Sequence, residues 1–408
     1  MTSRKILLME KDKHVWMFEL ENDEIVEIHC ESADSEVPVR PELGNIYVGK
    51  VKNIVSNIGA AFIEIQSGVE CYYDMSQAEN ALFTFKAGKK PLCIGDELVV
   101  QISKEAVKTK APTVSSNLSF NGKYAIITSG NTRIGTSAKL PKPVREEWKQ
   151  RLKAMKNDEY GVIIRTNAKD ADYDTVCHEI EELKSSYEKI KKTAPMRTCF
   201  SCLVQAPPAY ITDLKNVYTE GLEEIIIEGD HLYEQVHRYF EKEQPEDLDK
   251  LRLYNDPQLS LSKLYSTDTV ISHALSERVW LKNGAYLVIQ YTEALTVVDV
   301  NSGKCVARKN PMETYMKVNM EAAKEVAKQL RLRNLSGIII VDFINLDNEE
   351  MTKELLRTFR QYLSTDPIQA TLVDVTELQL VEVTRKKVRK PFHESNPYKH
   401  KNGGTKEC

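Results

Sequence analysis

Between residues 4 and 31 apolar and polar positions alternate in three blocks, RKILLME, HVWMFEL and EIVEIHC, separated by EKDK and ENDE. A period of two marks strands, and breaks this short fit tight hairpins, so the pattern predicts a three-stranded antiparallel meander. The composition shifts around Val37–Pro41, and GNIYVGKVKNIVSNIGAAFIEIQSGVECYYDMSQ follows, strand-like and interrupted by single glycines. After a Gly/Lys-rich loop at Lys86–Lys90, IGDELVVQISKEAV resumes the alternation with Gly95-Asp96 as its entry turn. Several short strands with glycine at the bends predict a small β-barrel.

From residue 123 the pattern becomes mixed. YAIITSG and YGVIIRT read as strands, and Val176, Ile180, Leu183, Tyr187 and Ile190 recur at helical spacing in a segment that ends before Pro195. A helix near 213–221, the strand EEIIIEG and a helix over HLYEQVHRYFEK are expected next. In the last unit, RVWLKNGAYLVIQ is two strands around Lys282-Asn283-Gly284, the composition of a type I′ hairpin turn. The strand ALTVVDVNSG, a long helix over Pro311–Arg333, the strand GIIIVDF, the helix DNEEMTKELLRTFRQYL and the strands ATLVDVT and LQLVEVT complete it. Beyond Arg389 the chain is polar and glycine-containing, the composition of a disordered tail.

At 408 residues, 41% hydrophobic and 28% charged, the chain has the size and composition of a multidomain globular protein. Mean hydropathy is −0.41, and no apolar run approaches the ~20 residues of a membrane-spanning helix. The opening MTSRKILLMEKDKH carries too short an apolar patch for an export signal, so a cytoplasmic location is expected. The eight cysteines are then expected to be reduced thiols; Cys199 and Cys202 have CxxC spacing but no second pair at zinc-finger distance. A net charge of −4 does not announce nucleic-acid binding. The charge is uneven, however: Tyr218–Asp249 holds eleven acidic residues against two basic ones, and Thr384 to the end holds eight Lys/Arg against two Glu.

Candidate chemistry concentrates at strand ends. Asp299 follows LTVV and opens DVNSG; Asp342 follows GIIIV and opens DFINLD. In α/β folds ligands bind at such ends, and two carboxylates brought together make a hard-oxygen site for Mg²⁺ or Mn²⁺. From spacing alone each Asp fits a turn cap equally well. Asn301, two residues after Asp299, shares its side of the strand. Asp347, Asp366 and Asp374 read as a helix N-cap, a turn residue and a strand residue. In the barrel segment, Tyr47, Phe62, Tyr72 and Tyr73 interleave with Lys50, Lys52 and Lys110, a composition that stacks bases and holds phosphates in single-strand-binding barrels. Aromatics of a small barrel serve as core equally often. Arg165-Thr166 ends the strand VIIRT, where a guanidinium fork and a hydroxyl can hold a terminal phosphate, or simply form a surface ion pair.

Four collinear strings, GNIYVGKV with AAFIEI, TEALTVVDVNSG, AAKEVAKQLRLRNLSGIIIVDFINL and LQLVEVTRKKVR, resemble the ribonuclease E/G family of bacterial endoribonucleases over about residues 1–390. The resemblance implies a multidomain α+β fold. An RNase H-like structural lobe (1–37 and 200–271) is interrupted by an S1 (OB-fold) β-barrel (38–122) and a 5′-sensor domain (123–199); a DNase I-like catalytic domain (272–390) and a polar basic tail (391–408) follow.

The same resemblance makes Asp299 and Asp342 the metal-binding aspartates and Asn301 the residue at the scissile phosphate. It makes Arg165 and Thr166 the pair that recognises a 5′-monophosphate, and Phe62, Tyr72 and Lys110 the S1 residues that grip RNA, with Tyr in place of the family's usual Phe at 72. The implied activity is Mg²⁺-dependent endonucleolytic cleavage of single-stranded A/U-rich RNA, stimulated by a 5′-monophosphate and leaving 5′-phosphate and 3′-hydroxyl ends. The implied substrates are rRNA precursors and mRNA. Where family members carry a CPxC motif that shares zinc between protomers, this chain reads KPFHESNPYKHKNGGTKEC with a single Cys408. A zinc-linked dimer is therefore not expected, and any homodimer would use another surface. The alternative is a non-catalytic RNA- or ribosome-binding protein that retains the S1 and sensor surfaces.

Overall fold

Ile6, Leu7, Leu8 and Met9 are all buried in the computed structural model of the chain, as are Val15, Trp16, Met17 and Phe18. A strand buried at consecutive positions has both faces covered. These strands therefore lie inside the fold. The structure describes residues 2–32, 42–104, 106, 111–217, 219–305 and 311–400. It divides into two units, Met1–Asp34 with Gly221–Cys408, and Ser35–Glu220.

In the first unit the meander is Arg4–Lys11, His14–Glu21 and Glu24–Ser32, antiparallel throughout. Its turns are of the primed type: Asp12, Lys13, Asn22 and Asp23 all have positive φ, which matches the twist of a two-residue hairpin. Arg4–Lys11 continues the sheet on its other side with two parallel strands, Leu222–Glu228 and then Leu251–Tyr254. The helix Asp230–Glu243 connects these two and buries Leu232, Val236 and Phe240. Leu7, Trp16 and Phe18 pack with Leu261, Ile271, Leu332 and Phe392 in one core.

The same unit holds a six-stranded sheet in the order Arg278–Trp280, Tyr286–Tyr291, Leu295–Asn301, Gly337–Asp342, Val381–Arg385, Ala370–Val375. Leu295–Asn301 and Gly337–Asp342 are parallel neighbours, with the 22-residue helix Pro311–Leu332 lying between them in sequence. That helix and Glu349–Ser364 share one core with the strands, through Val318, Ala322, Val326, Phe359, Val298, Ile339 and Val341. Arg331 carries the long helix onto the first sheet: its guanidinium pairs with Glu21 at 2.8 Å, Glu19 at 3.5 Å and Glu27.

In the second unit, Ile46–Val55 pairs with both Ala60–Gln66 and Glu97–Lys104. The ladder closes through Val69–Asp74 and Thr113–Ser115 into a five-stranded barrel. A four-stranded sheet, Ser119–Asn121, Ala125–Ser129, Tyr160–Ile164 and Ile134–Thr136, packs against the helix Tyr173–Thr193 through Ile127, Ile164, Val176 and Ile180.

Five local expectations change. The hairpin at Gly284 is not type I′, because Asn283 does not have positive φ. Gly284 alone does, at +88°, and its N–H donates to Leu281 O while Leu281 N–H donates to Ala285 O, which is a three-residue loop. The helix expected near 213–221 is Ala209–Asn216, opened by Pro208. Residues 200–220 fall in the second unit, where Cys202–Val204 adds to the barrel strand Ile46–Val55, so the structural boundary lies near 220 and not near 200. The helix Glu349–Ser364 is capped by Asn348, whose side chain accepts from Glu350 and Met351 N–H, and not by Asp347.

The fifth is the segment after Arg389, read from composition as disordered. Phe392–Ser395 is a short helix whose Phe392 is buried against Trp16, ring centroids 6.2 Å apart, and Tyr398 stacks on the same indole. One buried aromatic outweighs a polar composition, because a single phenyl ring removes a large apolar area from water.

Candidate functional site

Val298 and Val300 point into the core of the six-stranded sheet, as do Ile339 and Val341 on the next strand. Period two therefore turns Asp299 and Asp342 to the opposite, exposed face. The parallel register makes them direct partners, Asp299 opposite Asp342. Two like charges side by side on adjacent strands repel. Burial first, and then the Asp299 charge, raise the Asp342 carboxyl above its ordinary range. Asn301, on the same face, donates from Nδ2 to Asp299 Oδ2 at 2.7 Å. Among the described residues neither carboxylate has a cationic partner. A pair of carboxylates lacking a counter-charge, with an amide beside it, is the donor set of a hard divalent cation.

Arg165 and Thr166 follow the strand Tyr160–Ile164. Arg165 N–H donates to Tyr124 O at 2.7 Å, and its guanidinium donates to Gly122 O and, at 2.7 Å, to Asn216 Oδ1. The Thr166 hydroxyl lies 2.9 Å from the Ser137 hydroxyl. Asn167 completes the setting by donating to Val217 O at 3.0 Å. The Arg and Thr side chains are both half-buried and both held by hydrogen bonds. Sequence reading missed Ser137 and Asn216, because partners 29 and 51 residues away leave no local signal.

In the barrel, Phe62 and Tyr72 are cross-strand partners on the outer face, half-buried, with centroids 6.4 Å apart and planes at 87°. Lys50 and Lys52 share that face, paired with Glu97 at 3.6 Å and Glu64 at 3.1 Å. Tyr47 and Tyr73 are fully buried and belong to the barrel core. They fall on the inward phase of strands whose outward phase carries Lys50 and Tyr72. Lys110 lies outside the described residues.

Other clusters do not compete with the carboxylate pair. Cys199 is half-buried and Cys202 exposed, both as free thiols. Glu19, Glu27 and His29 gather closely enough to hold a metal ion. The Arg331 guanidinium pairs with both of those carboxylates, so a cation already satisfies the cluster. No helix among the described residues is long and apolar enough to cross a membrane.

The family model described as Ribonuclease E/G family matches residues 119–388. Ribonuclease G of Haemophilus influenzae is 31% identical over 364 residues, covering 85% of this chain and 73% of that protein. Ribonuclease G of Escherichia coli is 30% identical over 360 residues, covering 85% and 73%. Ribonuclease E of a Synechocystis species is 30% identical over 402 residues, covering 96% of this chain but 58% of its own length.

Proposed function

The chain belongs to the ribonuclease E/G family, and from that premise we propose that it is an endoribonuclease specific for single-stranded, A/U-rich RNA, working in the cytoplasm on rRNA precursors and mRNA. The reaction is hydrolysis of a phosphodiester bond to 5′-phosphate and 3′-hydroxyl ends, dependent on Mg²⁺ or Mn²⁺ and stimulated by a 5′-monophosphate. The observation that carries it is the register of the six-stranded sheet, which sets Asp299 directly opposite Asp342 with Asn301 hydrogen-bonded to Asp299.

Asp299 and Asp342 supply the carboxylate oxygens that would hold the metal ion, which when bound provides Lewis acidity toward phosphate and a lowered pKa for water. Asn301 offers two N–H groups on Nδ2. One is engaged by Asp299, which fixes the amide plane and leaves the other to donate to a phosphate oxygen. The raised Asp342 carboxyl is consistent with a pair that becomes comfortable once its charge is shared with a cation. The strand order of the first sheet supports reading it as the RNase H-like lobe, and the closed barrel as the S1 domain. Phe62 and Tyr72 then stack bases while Lys50 and Lys52 lie along the backbone. Arg165 and Thr166 take the 5′-phosphate.

A short single-stranded A/U-rich RNA, supplied with 5′-monophosphate or 5′-hydroxyl, tests this directly. Cleavage is expected with Mg²⁺ and not with EDTA, and faster for the monophosphate. Tight binding without cleavage under any metal would instead establish the non-catalytic RNA-binding reading. A charge-assisted hydrogen bond contributes ~1.5–3 kcal/mol. Arg165→Ala is therefore expected to reduce the monophosphate advantage by roughly 10- to 100-fold, until both 5′ forms are cut at one rate. An undiminished advantage would place the 5′-phosphate elsewhere.

A further inference from the structure

The chain has three tryptophans. Trp16 and Trp148 are buried, whereas Trp280 is 58% exposed. It stands on the outer strand of the six-stranded sheet, directly opposite Tyr286, and Tyr286 is in turn directly opposite Asn301. Cross-strand partners share a face. Trp280, Tyr286 and Asn301 thus form one row across three strands, on the face that carries Asp299. The adjacent row on that face is Arg278, Val288, Asp299 and Asp342.

The two rings are organised. Their centroids are 5.1 Å apart at an interplanar angle of 55°. The Arg278 guanidinium lies over both, 4.5 Å from the Tyr286 centroid and 5.7 Å from that of Trp280. Among the described residues no carboxylate pairs with Arg278. The loop after Asn301 closes on this row: Lys304 N–H donates to Gly284 O at 3.3 Å. Gly303, at φ +55°, sits so close that a Cβ there would lie 2.5 Å from Gly284 O and 3.2 Å from Tyr286 Cδ1. Tyr286 is consequently held from behind, while the indole beside it remains open to solvent.

Leaving a large aromatic in water forgoes its burial free energy. A rigid ring with a cation on its flank is a stacking platform for a nucleobase, with a charge for the adjoining phosphate. We propose that Trp280, backed by Tyr286 and Arg278, stacks the base of the nucleotide next to the scissile phosphate. Trp280 stands two strand spacings, about 9–10 Å, from Asn301, a separation that a nucleoside attached to a phosphate at Asn301 spans. This positioning subsite rests on the nuclease reading above. It is separate from the barrel aromatics Phe62 and Tyr72.

The test uses the full chain and a 5′-monophosphorylated A/U decamer. Because the other two tryptophans are buried, Trp280 reports its own occupancy. With EDTA present to prevent cleavage, RNA is expected to quench its emission and shield it from iodide. Stacking contributes ~1–3 kcal/mol per base, so Trp280→Ala is expected to raise KM about tenfold with kcat within about threefold of wild type. Trp280→Phe, which keeps a stacking ring, is expected to restore most of the loss. A wild type that cleaves the decamer, with emission unmoved by RNA and KM unchanged in Trp280→Ala, overturns the subsite and leaves the nuclease intact. A wild type that neither cleaves nor binds the decamer overturns both.

Discussion

Asp342→Asn is expected to lower kcat for RNA cleavage by roughly 10³-fold or more, with RNA affinity within a few-fold of wild type. Asn keeps the shape of the side chain and removes the negative charge opposite Asp299. A metal-bound transition state loses several kcal/mol when a carboxylate ligand is lost, and each 1.4 kcal/mol is tenfold in rate. The exposed position of Asp342 means that folding tolerates the change. Relief of the repulsion from Asp299 is expected to leave thermal stability unchanged or slightly raised. Single-turnover cleavage, filter binding and a melting curve on one preparation check all three. Equal losses of cleavage and affinity would show that the pair binds RNA rather than the metal, and full activity would remove it from the site. Asp299→Asn is expected to behave alike, with the charge-assisted hydrogen bond that orients Asn301 weakened to a neutral one.

Arg331→Met carries the largest expected effect on stability. Its guanidinium is the shared partner of Glu19, Glu21 and Glu27, and its side chain is mostly buried. Removing one partner of a buried ion network leaves uncompensated charge, at a cost of about 3–5 kcal/mol, which for a unit of this size lowers Tm by roughly 6–20 °C. The pH dependence identifies the cause. Burial by itself raises the Glu27 carboxyl. The His29 hydrogen bond and the Arg331 charge overcome that effect and hold it at about 2, against an ordinary 4.5.

A carboxyl depressed in the folded state stabilises the fold fully above its unfolded value, and the contribution disappears as pH falls through its folded value. The gap in Tm between wild type and Arg331→Met is therefore expected to be full at pH 7 and to narrow between about pH 4.5 and 2. A gap that stays constant across that range would point to lost packing and not to charge.

Much of the carboxylate site was legible in the chain. In LTVVDVN, period two sets Asp299 and Asn301 on the face opposite Val298 and Val300, whereas GIIIVD is apolar at four consecutive positions and does not by itself say which face takes Asp342. What spacing could not supply was the pairing of the two strands, set by packing of the long helix between them. In the barrel the same period separates Tyr72 from Tyr73, for which aromatic content alone left stacking and core equally open. Arg165-Thr166 stood out in the chain, but the groups that hold the two side chains, Ser137, Asn216 and Gly122, come from segments that only the fold assembles.

Local chemistry, then, is what the sequence determined by itself: the meander and its tight turns, the helical periods, the family motifs and the candidate side chains. These depend on backbone propensity and on which residues must leave water, both of which act over a few neighbouring positions. The tertiary structure alone decided the boundary near residue 220, the docking of Phe392 onto Trp16 and the capture of Arg331 by three glutamates. It also decided the row that runs from Asn301 through Tyr286 to Trp280. Each of these joins residues distant in sequence. Their energies come from buried area and low-dielectric pairing, which exist only once the chain has folded.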